Sequence, residues 1–383
     1  MKKHSFHRLN KAFILKDLKK KMVLLTGPRQ VGKTWLAKQI MNHYKNPLYL
    51  NYDSLKDKKM IKEQSWLESV DLIVFDEIHK MDQWKNYIKG IFDTRPQHRN
   101  ILVTGSARLQ QIQRSGDSLA GRFFSHTLLP FSLFELSQTN QSIGFNKLFS
   151  RGGFPEPLLM AKSINEAERW RQQYMFSLLR EDIPDFKNLQ NYRKMETLLY
   201  LLREKMSSPI SINSLSQALG IDHKTVEKYI TVLKDLFIIF SVPSFSKNIA
   251  RSLSKTKKIY FYDYAFIDAI NTGGRWENIV ALHLLKHCLY LQETQPSKAL
   301  QLVYLRTKDK REVDFLLTKK GSPHLMIEVK SKEVAFSKNL IYFHDRYGIP
   351  GKQLCPKLKR QKQIKGKNII SESLETFLLK LKT

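Results

Sequence analysis

The sequence predicts an α/β core with a parallel sheet, then a mostly helical middle segment, then a C-terminal α+β domain. In the first third of the chain, short near-continuous apolar runs alternate with helical stretches, which is typical of parallel strands buried on both faces. The middle segment is mostly helical and contains a short helix pair around Gly220. After a stretch rich in Ser and Lys, a mixed strand and helix pattern returns.

The predicted core strands are Met22 to Thr26, Leu48 to Tyr52, Leu72 to Phe75 and Ile101 to Thr104. At about 100–200 residues per domain, a chain of 383 residues accommodates two or three domains. The predicted boundaries are 1–135 for the α/β core, 136–245 for the helical connector with the helix pair, and 246–383 for the C-terminal domain.

The charge of the chain is strongly positive. Lys and Arg number 65 against 35 Asp and Glu, which leaves a formal net charge of +30. Such an excess attracts polyanions. Nucleic acid is therefore the first partner to consider, an anionic membrane surface the second, and an acidic protein or peptide the third.

Cysteine usage and hydropathy indicate the compartment. Cys288 and Cys355 are the two cysteines, and their separation fits neither a disulfide scaffold nor a zinc cluster. The longest apolar run, Leu236 to Phe240, is far shorter than the about 20 residues of a membrane span. We expect a soluble cytoplasmic protein without a membrane-spanning segment.

A phosphate-binding loop lies between the first predicted strand and a helical stretch. It matches the pattern G-x-x-x-x-G-K-S/T with Gly27, Pro28, Arg29, Gln30, Val31, Gly32, Lys33 and Thr34. In such a loop the backbone N–H groups surround the phosphates at a helix N-terminus. The lysine reaches the β- and γ-phosphates, and the hydroxyl binds Mg²⁺. The expected ligands are therefore ATP and Mg²⁺.

Two acidic residues follow the third predicted strand. Asp76 is expected to hold Mg²⁺, and Glu77 is expected to polarise the attacking water, which favours hydrolysis over binding alone. The next strand ends near two hydroxyl residues that could sense the γ-phosphate. Ser106 is the first choice for this role and Thr104 the second.

Two arginines are candidates for stabilising charge in the transition state. Arg122 lies beyond the last predicted core strand, where it could act on the site of a neighbouring subunit of a homo-oligomer. Arg29, inside the phosphate loop, is the weaker candidate. An ordinary surface role for Arg122 stays open.

The helix pair has the pattern of a helix-turn-helix. Ser211 to Leu219 is the first predicted helix, Gly220 opens the turn, and His223 to Leu236 is the second helix with Asp222 as its N-cap. The residues expected to face outward, where a recognition helix contacts the major groove, are His223, Lys224, Thr225 and Lys228. A packing module between two larger domains is the alternative interpretation.

Charged residues also mark two predicted strands near the C-terminus. Asp314 lies on the first strand, and Glu328 and Lys330 share one face of the second. This D…E-x-K pattern is how some nucleases hold Mg²⁺ and activate water. Glu277, at the start of a preceding helix, is a further candidate ligand. The alternative is that these charges hydrogen-bond within a domain that serves only as a binding platform.

Taken in order along the chain, these motifs are recognisable. The sequence resembles a prokaryotic family of AAA+ superfamily ATPases with a winged-helix segment and a C-terminal restriction-endonuclease-like domain. The resemblance covers nearly the whole chain. It is carried by residues 27–34, 76–80 with Trp84, 103–106, 119–122, 152–155, 312–315 and 327–330.

The predicted function is Mg²⁺-dependent ATP hydrolysis coupled to an action on DNA. Two alternatives stay open. One is a Mg²⁺-dependent nuclease in which ATP acts as a switch, and the other is a nucleotide-gated scaffold that binds DNA or protein without cleavage.

Overall fold

A computed structural model describes residues 8–105, 119–139, 143–181, 189–246, 256–267, 271–307, 309–358 and 360–382. The chain divides into two compact units, Met1–Pro130 and Phe131–Thr383. Ser106, the first choice for a γ-phosphate sensor, lies outside the described residues.

The N-terminal unit contains a five-stranded parallel sheet with the strand order β2-β3-β4-β1-β5. Its strands are β1 (Met22–Thr26), β2 (Pro47–Asn51), β3 (Leu72–Asp76), β4 (Asn100–Thr104) and β5 (Phe123–Thr127). Its helices are α1 (Asn10–Leu18), α2 (Lys33–Met41), α3 (Leu55–Glu63) and α4 (Trp84–Thr94). The predicted α/β core with a parallel sheet is confirmed.

Helices cover both faces of this sheet, which explains the continuous apolar runs. Along β1, Met22 and Leu24 pack in the same cluster as Ile88 of α4. The alternate residues Val23 and Leu25 pack in the opposite cluster, with residues of α1 and α2. Every residue of β1 and β3 is therefore buried, as expected for strands between two helical layers.

The strand order determines which residues can meet. The carboxyl ends of parallel strands lie at one edge of the sheet, so the residues that end β1, β3 and β4 are neighbours there. Strand β4 lies between β1 and β3, which places Thr104 between the phosphate loop and Asp76. Arg122 precedes β5 and lies at the opposite edge, where its carbonyl accepts a bond from Met22 N at 3.1 Å.

The C-terminal unit contains two further sheets. One has three strands in the order β6-β8-β7, and the other has six in the order β13-β14-β12-β11-β10-β9. The strands are β6 (Pro209–Ile210), β7 (Ile239–Pro243), β8 (Lys257–Phe261), β9 (Leu300–Arg306), β10 (Glu312–Lys319), β11 (Ser322–Val329), β12 (Gly351–Cys355), β13 (Lys362–Gln363) and β14 (Ile369–Ser373).

Helices of this unit precede, connect and follow these strands. They are α5 (Leu133–Ser137), α6 (Phe145–Arg151), α7 (Ile164–Glu181), α8 (Leu189–Glu204), α9 (Ile212–Leu219), α10 (His223–Asp235), α11 (Thr272–Thr294), α12 (Lys338–Tyr347) and α13 (Leu374–Lys380). The predicted helix pair corresponds to α9 and α10, joined by Gly220 in the left-handed conformation at φ 59°.

The predicted C-terminal hairpin is formed by β10 and β11, which pair antiparallel with Phe315 opposite Ile327. The pairs β11–β12 and β12–β14 are parallel, so the larger sheet is mixed. Strand β8 lies beyond residue 246 but pairs with β6 and β7, which precede it. The domain boundaries at 135/136 and 245/246 stay predictions.

Within the described part of the chain, no helix has both the length and the apolar content that crossing a bilayer requires.

Candidate functional site

The phosphate loop connects β1 to α2 through residues with positive φ. Gly27 has φ 141° and Gly32 has φ 99°, and Gln30 between them has φ 57°. A Cβ at Gly27 would lie 2.1 Å from the carbonyl oxygen of Leu128. Only glycine therefore fits the first position of the loop, because any side chain would collide with backbone.

Lys33 begins α2 and points back into the loop. Its ammonium donates hydrogen bonds to the carbonyl oxygens of Gly27 at 2.9 Å and Pro28 at 2.6 Å. Burial lowers the pKa of Lys33 to about 8, although the carboxylates of Glu77 and Asp76 oppose the shift. A buried cation held by uncharged carbonyls is well placed to exchange them for phosphate oxygens.

Asp76, at the end of β3, is fixed by three hydroxyl groups. Its Oδ2 accepts hydrogen bonds from Thr34 at 2.9 Å and Tyr49 at 2.5 Å, and its Oδ1 accepts one from Thr104 at 2.5 Å. The residue is buried. The structure thus brings the two predicted Mg²⁺ ligands, Thr34 and Asp76, into direct contact, and this oxygen donor set fits Mg²⁺.

Thr104 and Tyr49, which both donate hydrogen bonds to Asp76, have roles that the sequence did not predict. Thr104 was the second choice for a phosphate sensor, but its hydroxyl is used to hold the carboxylate. Tyr49 carried no motif; it lies on β2, which pairs with β3. Burial and the neighbouring Asp76 raise the pKa of Tyr49, so its hydroxyl stays a donor.

Glu77 follows Asp76 and turns the backbone sharply. It has φ 57°, and its N–H bonds the carbonyl of Thr104 at 3.0 Å. Its Oε2 lies 3.4 Å from His79 Nε2 and 3.7 Å from the ammonium of Lys80. Burial raises the pKa of Glu77, which makes the carboxylate a stronger base.

Arg8 holds the phosphate loop through hydrogen bonds, although it belongs to no sequence motif. The residue is 1% exposed, and its guanidinium donates hydrogen bonds to the carbonyl oxygens of Val31 at 2.8 Å and Leu129 at 3.1 Å. Val31 belongs to the loop, and Leu129 follows β5. One buried cation therefore connects the phosphate loop to the segment that follows β5, the strand next to β1.

The two arginine candidates occupy different places. Arg29 lies half-buried in the loop itself. Arg122 forms a two-point ion pair with Asp93, with distances of 2.7 and 3.0 Å. Arg122 lies beside the first residue of β1, whereas the phosphate loop follows the last. The five residues of β1 span about 16 Å. Arg122 therefore does not reach the nucleotide site of its own chain.

The predicted C-terminal residues do come together. The N–H of Val329 donates to Asp314 at 2.8 Å, and the ammonium of Lys330 lies 2.7 Å from Glu328 Oε1. Burial and the charge of Asp314 raise the pKa of both Glu277 and Glu328. Across the described ranges, however, no group of three or more His, Cys, Asp or Glu side chains is arranged to hold a metal ion.

The outward residues of α10 are placed as the pattern predicts. His223, Lys224 and Lys228 are exposed and Thr225 is half-buried, while Val226 and Leu233 face the core. Asp222 caps the helix by accepting a hydrogen bond from Thr225 N at 2.9 Å. The helical spacing of Val226, Ile230 and Leu233 predicts that all three face the core, but Ile230 is only half-buried and Tyr229 is buried.

Comparison with known families adds to this geometry. Residues 19–137 match the model of an AAA domain. These residues form an AAA-type P-loop ATPase domain. Behind the ATPase domain, residues 143–274 match a domain of unknown function (DUF8612) and residues 272–374 match another (DUF4143).

Relatives of this chain occur in Mycobacterium tuberculosis and in Methanocaldococcus jannaschii. An uncharacterized protein of Mycobacterium tuberculosis is 24% identical over 321 residues, which covers 79% of this chain and 69% of the relative. An uncharacterized protein of Methanocaldococcus jannaschii is 24% identical over 377 residues, covering 81% and 76%. A Walker-type ATPase of Pyrococcus abyssi, a solved structure, aligns at 15% identity and a TM-score of 0.46 over 69% of this chain and 95% of its own.

Proposed function

We propose that this chain is a Mg²⁺-dependent ATPase that couples ATP binding and hydrolysis to an action on DNA. The observation that carries the proposal is the meeting of Lys33, Asp76 and Glu77 at one edge of the parallel sheet. Lys33 begins α2, whereas Asp76 ends β3 and Glu77 follows it, so the folded sheet brings two distant parts of the chain together.

Each residue of the site has a distinct part in this proposal. Lys33 exchanges its carbonyl partners for the β- and γ-phosphates of ATP. Thr34 and Asp76 would hold Mg²⁺, which supplies charge neutralisation at the phosphates. Glu77 orients the attacking water and accepts its proton, and its raised pKa suits that role.

The proposed contact with DNA is through α10. In this proposal α9, α10 and the sheet β6-β8-β7 act as a winged helix, with Lys224 and Lys228 of α10 facing the duplex. Their exposure and the net charge of +30 support it. For the region that matches DUF4143, residues 272–374, we propose a restriction-endonuclease-like fold.

Arg122 can contribute to hydrolysis only in an assembly. Because it lies at the far edge of the sheet from its own loop, it is proposed to reach the nucleotide of a second copy of the chain. This proposal requires a homo-oligomer in which Arg122 exchanges Asp93 for phosphate.

The ATPase proposal is tested with two variants. Lys33→Ala should abolish binding of a fluorescent ATP analogue. Glu77→Gln should bind it with unchanged affinity but lose phosphate release, since the amide accepts no proton. Glu63→Gln, at an exposed acid of α3, is the matched control and should retain activity. Full phosphate release by Glu77→Gln would disprove the assigned base.

The DNA proposal is tested by the salt dependence of binding. Fluorescence anisotropy with a labelled duplex should give log affinity that falls linearly with log salt. Lys224→Gln with Lys228→Gln should reduce the slope by up to about two units. Lys19→Gln with Lys20→Gln removes the same charge from exposed positions of the other unit. Equal slopes in the two double variants would contradict a contact through α10.

A further inference from the structure

Four carboxylates of the C-terminal unit converge between α11 and the larger sheet. Glu277 lies on α11, Glu312 and Asp314 on β10, and Glu328 on β11. Three of these acids belong to the set that the sequence predicted as a second Mg²⁺ site. Whether they can take a metal ion depends on what already neutralises them.

A lysine from another sheet occupies the space among these acids. Lys258 of β8 is 1% exposed, and its ammonium lies 2.8 Å from Glu312 Oε1, 3.3 Å from Glu277 Oε1 and 3.5 Å from Asp314 Oδ1. Burial alone would lower the pKa of Lys258, but the surrounding carboxylates outweigh burial and raise it. The ammonium therefore stays charged.

Each of the four acids also has a hydrogen-bond or ion-pair partner other than Lys258. Tyr260 donates to Glu277 Oε1 at 2.6 Å, and Arg306 lies 3.0 Å from Glu312 Oε2. As described above, Val329 N–H bonds Asp314 Oδ2 and Lys330 pairs with Glu328 Oε1. Glu328 keeps a buried oxygen, Oε2, without a hydrogen-bond partner in the described structure. One such oxygen cannot replace the several oxygen ligands that a divalent cation requires.

We propose that Lys258 is the resident cation of this acidic cluster and that it excludes a divalent metal ion from Glu277, Asp314 and Glu328. The predicted second Mg²⁺ site does not fit the residues present, because its centre holds an ammonium. A metal ion would have to displace Lys258 or bear strong repulsion from it at close range. The acids then serve to hold β8 against β10 and α11.

The proposal makes a positive prediction about a variant. Lys258→Met keeps a long unbranched side chain and removes the charge, so the acids become available to a cation. Electron paramagnetic resonance of Mn²⁺ with the full-length, nucleotide-free protein should then show one added site per chain. We expect its affinity to be at least about tenfold tighter than any Mn²⁺ binding by the wild type at this cluster. Lys257→Met, one residue earlier on β8, is the matched control and should add no site.

A second substitution assigns the new site to the cluster. Adding Asp314→Asn to Lys258→Met should remove the gained Mn²⁺ binding. The negative charge of Asp314 acts on both Glu277 and Glu328, so all three acids belong to the same cluster. A folded Lys258→Met protein that binds Mn²⁺ no more tightly than wild type would overturn the proposal.

The wild type provides an arm that does not depend on any Lys258 variant folding. If wild-type protein binds Mn²⁺ at a site that Asp314→Asn abolishes, Lys258 does not exclude the metal and the proposal is wrong. If Asp314→Asn leaves wild-type Mn²⁺ binding unchanged, the proposal is supported. Since no nucleotide is present, failure here leaves the ATPase proposal unaffected.

Discussion

The guanidinium of Arg8 donates a 2.8 Å hydrogen bond to the carbonyl oxygen of Val31, inside the phosphate loop. Residue 8 precedes the first strand, and its second bond reaches Leu129 after the last strand of the sheet. A residue outside the motif therefore holds the phosphate loop in place. The shape of the loop therefore depends on a charge 19 residues before its first glycine, Gly27.

Replacing Arg8 should affect both stability and nucleotide binding. Arg8→Ala leaves two buried carbonyls without a charged donor, so we expect the free energy of unfolding to fall by about 2–4 kcal/mol. Calorimetric titration should also show weaker ATP binding, because the loop loses its support. Lys11→Ala, at a half-buried position of α1, is the control. Unchanged ATP affinity in a folded Arg8→Ala protein would contradict this role.

Two glycines with positive φ allow steric collision to be separated from backbone strain. Gly27→Ala places a Cβ 2.1 Å from a backbone oxygen, whereas Gly121→Ala, at φ 79°, meets no atom within 4 Å. Gly121→Ala should cost only the left-handed conformation, about 1–2 kcal/mol. Gly27→Ala should cost more and abolish ATP binding. Thermal unfolding with and without ATP measures both, and equal effects would show that the close contact is unimportant.

Thr104 should matter through its hydroxyl. Thr104→Val keeps the shape of the side chain but removes the donor to Asp76, so a buried carboxylate oxygen loses a partner. We expect a loss of about 1–3 kcal/mol in unfolding free energy and slower phosphate release. Thr104→Ser retains the donor and should restore both. If Thr104→Val behaves like wild type while Thr104→Ser does not, packing of the methyl group explains the residue instead.

His283 predicts a loss of stability in acid. Its Nε2 accepts a hydrogen bond from Leu133 N at 3.0 Å, and its Nδ1 lies 2.7 Å from the carbonyl of Ile279, an arrangement that requires the neutral ring. Burial lowers the pKa of His283 to about 4, against about 6.5 when unfolded. Below about pH 6.5 the unfolded chain therefore binds the extra proton, and stability falls as pH falls.

The measurement is urea unfolding at pH 7 and pH 5. Wild type should lose about 2 kcal/mol more than His283→Gln over this interval, because glutamine does not titrate. The same loss in both proteins would assign the acid sensitivity to other groups.

Local pattern was enough to predict the parts of the fold that depend on neighbours in sequence. The continuous apolar run of β1 and the glycines of the loop predicted a strand, a phosphate loop and a helix in the correct order. Asp76 and Glu77 were predicted from the strand that they end. Each of these signals lies within about ten residues of chain, where burial and turn geometry determine the residue types.

The residues that the sequence did not reveal act across long separations. Arg8 precedes an amphipathic helix and Tyr49 lies within an ordinary strand, so neither pattern indicates a polar partner. Lys258 is the second residue of the strand β8, and lysine in a strand normally lies at an exposed sheet edge. Its role appears only when β10 and α11 are placed around it, because charge compensation depends on tertiary neighbours.

Strand β8 is hydrogen-bonded into the three-stranded sheet, but it forms ion pairs with the six-stranded sheet. It pairs with β6 and β7 beside the helix pair, while its Lys258 lies among the acids of β10 and α11. Tyr260 on the same strand packs on Phe240 of β7 and on Phe315 of β10, with ring centroids 5.6 Å apart in each case. Strand β8 therefore joins the small sheet to the larger one at two points, one ionic and one aromatic, so a substitution that shifts β8 alters the surroundings of both sheets.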